Sequence, residues 1–425
     1  MARLAGWTRL LLINLAVAAV LLEAASLAAY ALQRHGLYYL RPAAPPTAAQ
    51  PAEAAVTSFR LSPYFGFMRE PRQPLSALLE PQRLALMAAP AKDAPWAAVR
   101  TNNLGFLSPH DHPYTPPEPD AYVVAVFGGS VAQWFALQGA QTLAASPALA
   151  GRRLVLLNFA NASYKQPQQA LLLQFLLASG QRLDAVVNID GFNEIALGAM
   201  NADAGVSVAM PSVQNMAPLA ALAPLDADET RLSQLAELYG ARRRLVAAQT
   251  GADTHGLATG WAFDRLRAAL LARRVDTLAQ ALSSAKPAAS LVALLPATDP
   301  TAALDQAVQL WARSSTLMRQ TLAARGIPYL HVVQPNQYHG SRPMSQAEAR
   351  IARSSASVYA KYVVAGYPKL LEAARSLQAG GENLLDATTV FDATAETVYA
   401  DDCCHYNQRG NELLARAVAQ ALHRP

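Results

Sequence analysis

The chain has 425 residues, 52% of them hydrophobic, and 35 Lys and Arg against 30 Asp and Glu give it a formal charge of +5. That excess is mild and scattered; its densest cluster, Arg242-Arg243-Arg244, reads as a solvated helix face, and the absence of a basic stripe interleaved with aromatics argues against a nucleic-acid partner. The two cysteines, Cys403 and Cys404, are adjacent, which excludes a disulfide framework and zinc-finger spacing, since neighbouring residues rarely meet disulfide geometry.

At the start, Arg3 and Arg9 precede an apolar run from Leu10 to Leu32, about the roughly 20 residues a membrane-spanning helix needs. Glu23 interrupts it, which is costly at mid-membrane. Ala29-Tyr30-Ala31 has the form of a signal-peptidase site, so a retained anchor over residues 1–33 competes with a cleaved signal peptide. The run outlasts the roughly 7–15-residue apolar core of a signal peptide, which favours the anchor. Positive charge on the amino side places that end inside and the body outside the cytoplasmic membrane. Residues 34–57 are rich in Pro and Ala and read as a linker. Residues 58–119, with the pieces SPYFGFM and TNNLGFLSPH, read as an ordered extension packed on the main domain.

The main domain is expected over 120–425. Val123–Phe127 is a short apolar run of the kind buried in a parallel sheet. Gly128-Gly129 allow a tight turn, and Ser130 opens an apolar segment, VAQWFAL, that can form a helix. Taken alone, Ser130 is as well explained as a helix N-cap. Arg153–Phe159 is a second strand, followed by the loop ANASYKQPQQ and a helix ending at Gly180. Leu183–Ile189 is a third strand, ending in Asp190-Gly191-Phe192-Asn193-Glu194. Three β–loop–α units in succession predict a three-layer α/β/α sandwich with a mainly parallel, doubly wound sheet.

Gly198–Pro224 reads as a loop and Asp226–Ser284 as long amphipathic helices with a break near Thr250–Gly260, giving a helical insertion at about 200–286. Its position outside the motif-bearing segments suggests a cap beside the site. Ala302–Arg325 is a helix leading to a strand at Pro328–Val333. Gln346–Leu377 is helical with an interruption at Gly366, Leu384–Phe391 holds a short strand, and Gly410–Leu422 closes the chain as a helix.

By topology the loops after the first three strands share the carboxyl edge of the sheet, where open α/β folds bind ligands. Just before the last helix lies ADDCCHYN, in which Asp402 stands three residues ahead of His405. An Asp-x-x-His turn lets a carboxylate hold one imidazole nitrogen while the other takes a proton from a serine. Alone, the pattern is a common polar turn.

Together these pieces resemble the SGNH (GDSL-type) hydrolase family. Phe127-Gly-Gly-Ser130-Val-Ala is similar to its nucleophile block, with Gly129 in place of the usual Asp. Asn158–Ser163 resembles the second block, with Ser163 where a glycine is usual. Gly191-Phe-Asn193-Glu194 resembles the Gly-x-Asn-Asp block with one acidic swap, and Asp402-Cys-Cys-His405 the Asp-x-x-His block. YKQPQQ and TNNLGF resemble segments of membrane-linked bacterial members. The likeness covers Thr101–Ala199 and Asp386–Leu422; Met200–Lys286 has none.

The resemblance implies a serine esterase or deacetylase with Ser130 as nucleophile, His405 as general base and Asp402 orienting it. Asn193 and the backbone N–H groups of Ser130 and Ser163 would form the oxyanion hole. It implies no metal and no organic cofactor, an acylated small molecule, glycan or lipid as substrate, and a single-pass protein of the bacterial inner membrane with its catalytic domain in the periplasm. Asn193 as a helix cap and Asp401 as a solvated neighbour are the plainer readings of those two residues. Asn161-Ala162-Ser163 also spells a glycosylation sequon. An O-acyltransferase modifying an extracytoplasmic polysaccharide and a catalytically silent, membrane-tethered binding protein are the alternatives, because fold does not settle function.

Overall fold

The computed structural model describes residues 2–34, 36–40, 59–75, 78, 81–88, 95–149, 151–216, 229–251, 255–284, 295–355 and 357–422. Most of the expected Pro/Ala linker lies outside them. Two compact units divide the chain: Met1–Thr57 with Ala221–Ala288, and Ser58–Ala220 with Ala289–Pro425.

The second unit opens with an antiparallel hairpin, β1 (Phe59–Ser62) and β2 (Gly66–Arg69). Five parallel strands follow: β3 (Ala121–Gly128), β4 (Arg153–Asn158), β5 (Ala185–Asp190), β6 (Tyr329–Val333) and β7 (Leu384–Asp386). Their order is β4-β3-β5-β6-β7, and Val126 in β3 stands opposite Asn158 of β4 and Val187 of β5. Every residue of β5 and β6 is buried, as expected of parallel strands covered on both faces.

Alternation along β3 supplies both faces. Val124 and Val126 pack with Val131 and Phe135 of the helix Ser130–Gln138 and with Leu414 and Val418 of the helix Gln408–Leu422. Val123, Ala125 and Phe127 pack with Leu172 and Leu176 of the helix Gln168–Ala178 and with Met318 and Leu322 of the helix Ala303–Ala323. Each fully buried Val or Leu contributes about 1.5–3 kcal/mol. The result is the expected three-layer α/β/α sandwich. Phe65 and Phe67 of the hairpin segment join the second of these clusters with Tyr164 and Phe106, which fixes the extension onto the domain.

Some boundaries differ from the sequence reading. The helix Phe192–Asp203 extends into the start of the segment read as a loop, and it belongs to the second compact unit, where Ile195 packs with Trp311, Val333 and Leu370. The helical stretch after Gln346 breaks at residues 353–359 instead of at Gly366, giving helices Gln346–Ala352 and Ala360–Ala379. Gly366 lies inside the latter, where an added Cβ would stand 2.3 Å from Ile195 Cγ2; glycine there permits close helix approach.

The first unit is helical. Leu12–Gln33, within the helix Ala2–Arg34, is long and apolar enough to cross a membrane. The helices Glu229–Gly251 and Ala258–Ser284 pack on each other through Leu235, Leu238, Leu278 and Leu282. Glu23, the acidic interruption of the apolar run, accepts the backbone N–H groups of Ala258 and Thr259 at 2.8 and 2.9 Å. It thereby satisfies two of the orphan donors at that helix start.

Candidate active site

The strand order reverses between β3 and β5, and the loops leaving those two strands face each other at the carboxyl edge. Gly128 has φ +140, and a Cβ there would lie 2.0 Å from the Ile189 carbonyl oxygen, so the turn out of β3 requires glycine. Gly129 is the N-cap of the helix Ser130–Gln138 and provides no side-chain cap. Ser130 is therefore not the helix cap. Its Oγ lies 2.7 Å from Nε2 of His405.

His405 ends a tight turn closed by the Ala400 N–H donating to the His405 carbonyl at 2.9 Å. Its Nδ1 lies 2.5 Å from Asp401 Oδ2. This corrects the expectation that Asp402 orients the imidazole. The other oxygen of Asp401 accepts the backbone N–H groups of Cys403, Cys404 and His405 at 3.0, 3.1 and 3.2 Å. That folds the turn around the Asp401 carboxylate and brings it to the ring. Asp402 is held by its backbone instead, its carbonyl accepting from Tyr338 Oη at 2.7 Å and Ser357 Oγ at 3.3 Å.

The remaining residues expected at the site come from the other two loops. Ser163 has φ +63, the left-handed conformation that favours glycine, and it reaches it without being one. Asn193 Nδ2 donates to the Tyr164 carbonyl at 2.8 Å, which uses one of its two amide hydrogens. A Cβ on Gly129 would stand 2.1 Å from that same Nδ2. Glycine at position 129 thus leaves room for the amide beside Ser130. Ser130, Ser163, Asn193, Asp401, Asp402 and His405 all line one cavity of about 580 Å³, whose described lining residues all belong to the second unit. Asn161, first residue of the sequon, is buried.

Glu194 ties two of the loops together. Its carboxylate accepts the Gln166 N–H at 2.9 Å and the Gly191 N–H at 2.8 Å. Burial, with the charge of Asp190, pushes it up to about 8 against the pull of those N–H groups. At the cavity, burial and then the thiol of Cys403 push the Tyr359 phenol up to about 12. Burial alone brings Arg69, another lining residue, down to about 10, still protonated at neutral pH.

Among the described residues, Cys403, Cys404 and His405 hold potential metal-ligating atoms within 4.8 Å of one another. Both ring nitrogens of His405 are already engaged by Asp401 and Ser130, so a metal there would displace one of these hydrogen bonds.

Two charged lining residues were not assigned to the site from the sequence. Asp401 was legible only as one of two adjacent acids. Arg69 had a signal: in the run Phe65-Gly-Phe67-Met-Arg69 it shares the alternation phase of two aromatics, and Phe67 and Arg69 are buried while Met68 is not fully so.

No family model matches the chain, and no curated protein matches it. Among solved structures it is similar to LAE5, an alpha/beta hydrolase enzyme from the metagenome of Lake Arreo, Spain, at 14% identity and a TM-score of 0.30, over 71% of this chain and 96% of that one. A likeness of that degree carries no functional argument.

Proposed function

We propose that the chain is a serine hydrolase of SGNH type that cleaves esters of an acylated glycan or lipid outside the cytoplasm. One observation carries this reading: Ser130 Oγ lies 2.7 Å from a histidine nitrogen whose partner nitrogen is held by Asp401, in an open cavity at the carboxyl edge of a parallel sheet. In the reaction Ser130 Oγ attacks the ester carbonyl and His405 Nε2 takes its proton. Asp401 fixes the ring through Nδ1 and stabilises the imidazolium. Charge develops on the former carbonyl oxygen, which the second amide hydrogen of Asn193 and the backbone N–H groups of Ser130 and Ser163 would receive. Each such donor is worth about 2.7–4 kcal/mol in the transition state. His405 returns its proton to the departing alcohol, then activates water to release the acyl group. The apolar helix Leu12–Gln33, with Arg3 and Arg9 on its amino side, supports a membrane anchor with this domain outside.

A fluorophosphonate probe tests the reading directly. Wild type should be labelled and Ser130→Ala should not; equal labelling of the two would refute Ser130 as nucleophile. A reporter fused after Pro425 should be active only in the periplasm, and cytoplasmic activity would overturn the topology.

A further inference from the structure

The cavity that holds Ser130 and His405 contains a charge the proposed hydrolysis does not use. Arg69 lines it and is 7% exposed. The pleat of β2 turns it inward on the face that carries Phe67. Among the described residues, none accepts a hydrogen bond from its guanidinium and no carboxylate pairs with it. Its Nε is fully buried without a partner. The guanidinium carbon stands 4.8 Å from the centre of the Phe59 ring, a cation–π contact that supplies no counter-charge. Desolvation is the sole cause of its lowered pKa, so no neighbouring charge compensates it.

Unpaired buried charges are expensive, and native proteins rarely keep them. Of the two carboxylates in the described lining, Asp401 has its oxygens engaged by His405 and three backbone N–H groups, and Asp402 forms no ion pair with Arg69. Leu75, Leu78, Leu107 and Trp134 make much of the remaining wall apolar. Arg69 is thus the one permanently positive residue among those described in the lining, and it is held ready by a strand and not by a flexible loop.

We propose that Arg69 recognises a carboxylate on the substrate, so that the ester cleaved at Ser130 belongs to an acidic compound. The planar fork of N–H donors matches a carboxylate in a bidentate pair, which supplies the missing counter-charge when substrate enters. This assignment rests on the reading of Ser130 as nucleophile, but the anion site itself does not.

The test uses isosteric pairs on the full chain. One pair carries the charge on the alcohol side, 3-acetoxybenzoate against 3-acetoxybenzamide. The other carries it on the acyl side, 4-nitrophenyl hemisuccinate against 4-nitrophenyl succinamate. In at least one pair wild type should favour the anionic ester in kcat/KM by about 10–100-fold, the range of a hydrogen-bonded charge pair. Arg69→Gln should collapse that ratio toward one, and Arg69→Lys should keep part of it. No anionic preference in either pair, or a ratio untouched by Arg69→Gln, overturns the anion site while leaving the hydrolase standing. Binding of 3-hydroxybenzoate against 3-hydroxybenzamide, read as a rise in melting temperature, needs no catalysis and no Arg69 variant that folds. If neither ester is cleaved yet only the benzoate stabilises wild type, the anion site holds and the hydrolase reading fails. Equal effects of benzoate and benzamide, together with no anionic preference in the hemisuccinate pair, overturn the anion site.

Discussion

The sheet domain holds two serine–histidine–aspartate strings built from the same parts with opposite wiring. In the cavity, Asp401 meets Nδ1 of His405 and Ser130 meets Nε2. In the core, Asp190 Oδ1 lies 2.8 Å from Nε2 of His331, and Ser315 Oγ lies 2.7 Å from Nδ1. His331 and Ser315 are wholly buried and Asp190 nearly so. Ser315 donates to Glu382 Oε2 at 2.8 Å, while Trp311 and Asn188 both donate to Asp190 at 2.7 Å. Residue types and bond lengths therefore do not separate a nucleophile from a structural network. Two other things do: where the serine hydrogen goes, and whether a carbonyl can reach the oxygen. The hydrogen of Ser315 is given to a carboxylate in a closed interior. Ser130 faces a cavity of about 580 Å³ with a histidine nitrogen as its partner.

The comparison breaks most visibly at the two serines. Ser130→Ala and His405→Ala should each lower kcat for a short-chain nitrophenyl ester by at least about 10⁴-fold, and the double variant should be little worse than either, because such residues act as a unit. Both should keep the wild-type melting temperature within a few degrees. Ser315→Ala should do the reverse, retaining turnover and losing stability. Loss of turnover in a fully stable Ser315→Ala would interchange the two roles.

Next in size is the pair of acids. Asp401→Asn should cost roughly 10⁴ in kcat, because the carboxylate sets the imidazole tautomer and stabilises the imidazolium. Asp402→Asn should cost less than about tenfold, since Asp402 is tied in by its backbone carbonyl. A larger effect at Asp402 would restore the Asp-x-x-His assignment.

In the core, His331→Ala should destabilise by about 3–5 kcal/mol, since it strips a partner from buried Asp190 and opens a void beside Trp311. Chemical denaturation reads this, and a loss below about 1 kcal/mol would show that the network relaxes around the gap.

The sheet and its loops were legible because each rests on local signals. Val123–Phe127 is apolar through both faces, and Gly128-Gly129-Ser130 has the form of a strand-to-helix turn. What was not legible depends on contacts between distant segments or on a one-residue choice. Asp401 and Asp402 are equivalent on paper; only the direction of three backbone N–H groups selects the first. Arg69 matters through a hairpin that packs some sixty residues away from Ser130, as the positions themselves show. Gly366 resembles a helix breaker until Ile195 is seen against it. The partner of Glu23 lies in a helix that starts at Ala258, beyond the reach of any periodicity. The core string was invisible for the same reason, as Asp190, Ser315 and His331 sit on three separate elements.

The smallest effect sharpens the contrast through the backbone. Ser163, on the open site, is held at φ +63, whereas none of Asp190, Ser315 and His331 has a positive φ. A non-glycine residue in that region costs about 1–2 kcal/mol, and glycine gives back roughly 0.5–1 kcal/mol through its looser unfolded state. Ser163→Gly should therefore change stability by less than about 1 kcal/mol, on the stabilising side. Ser163→Ala keeps the strain and should not gain. If the oxyanion is received by the Ser163 backbone N–H, both variants retain that donor and kcat should stay within about threefold of wild type. If the hydroxyl is the donor instead, both should fall by about 10²–10³, the usual cost of losing one oxyanion contact. Kinetics on the two variants, with denaturant melts alongside, separates strain borne for a backbone donor from strain borne for a side chain.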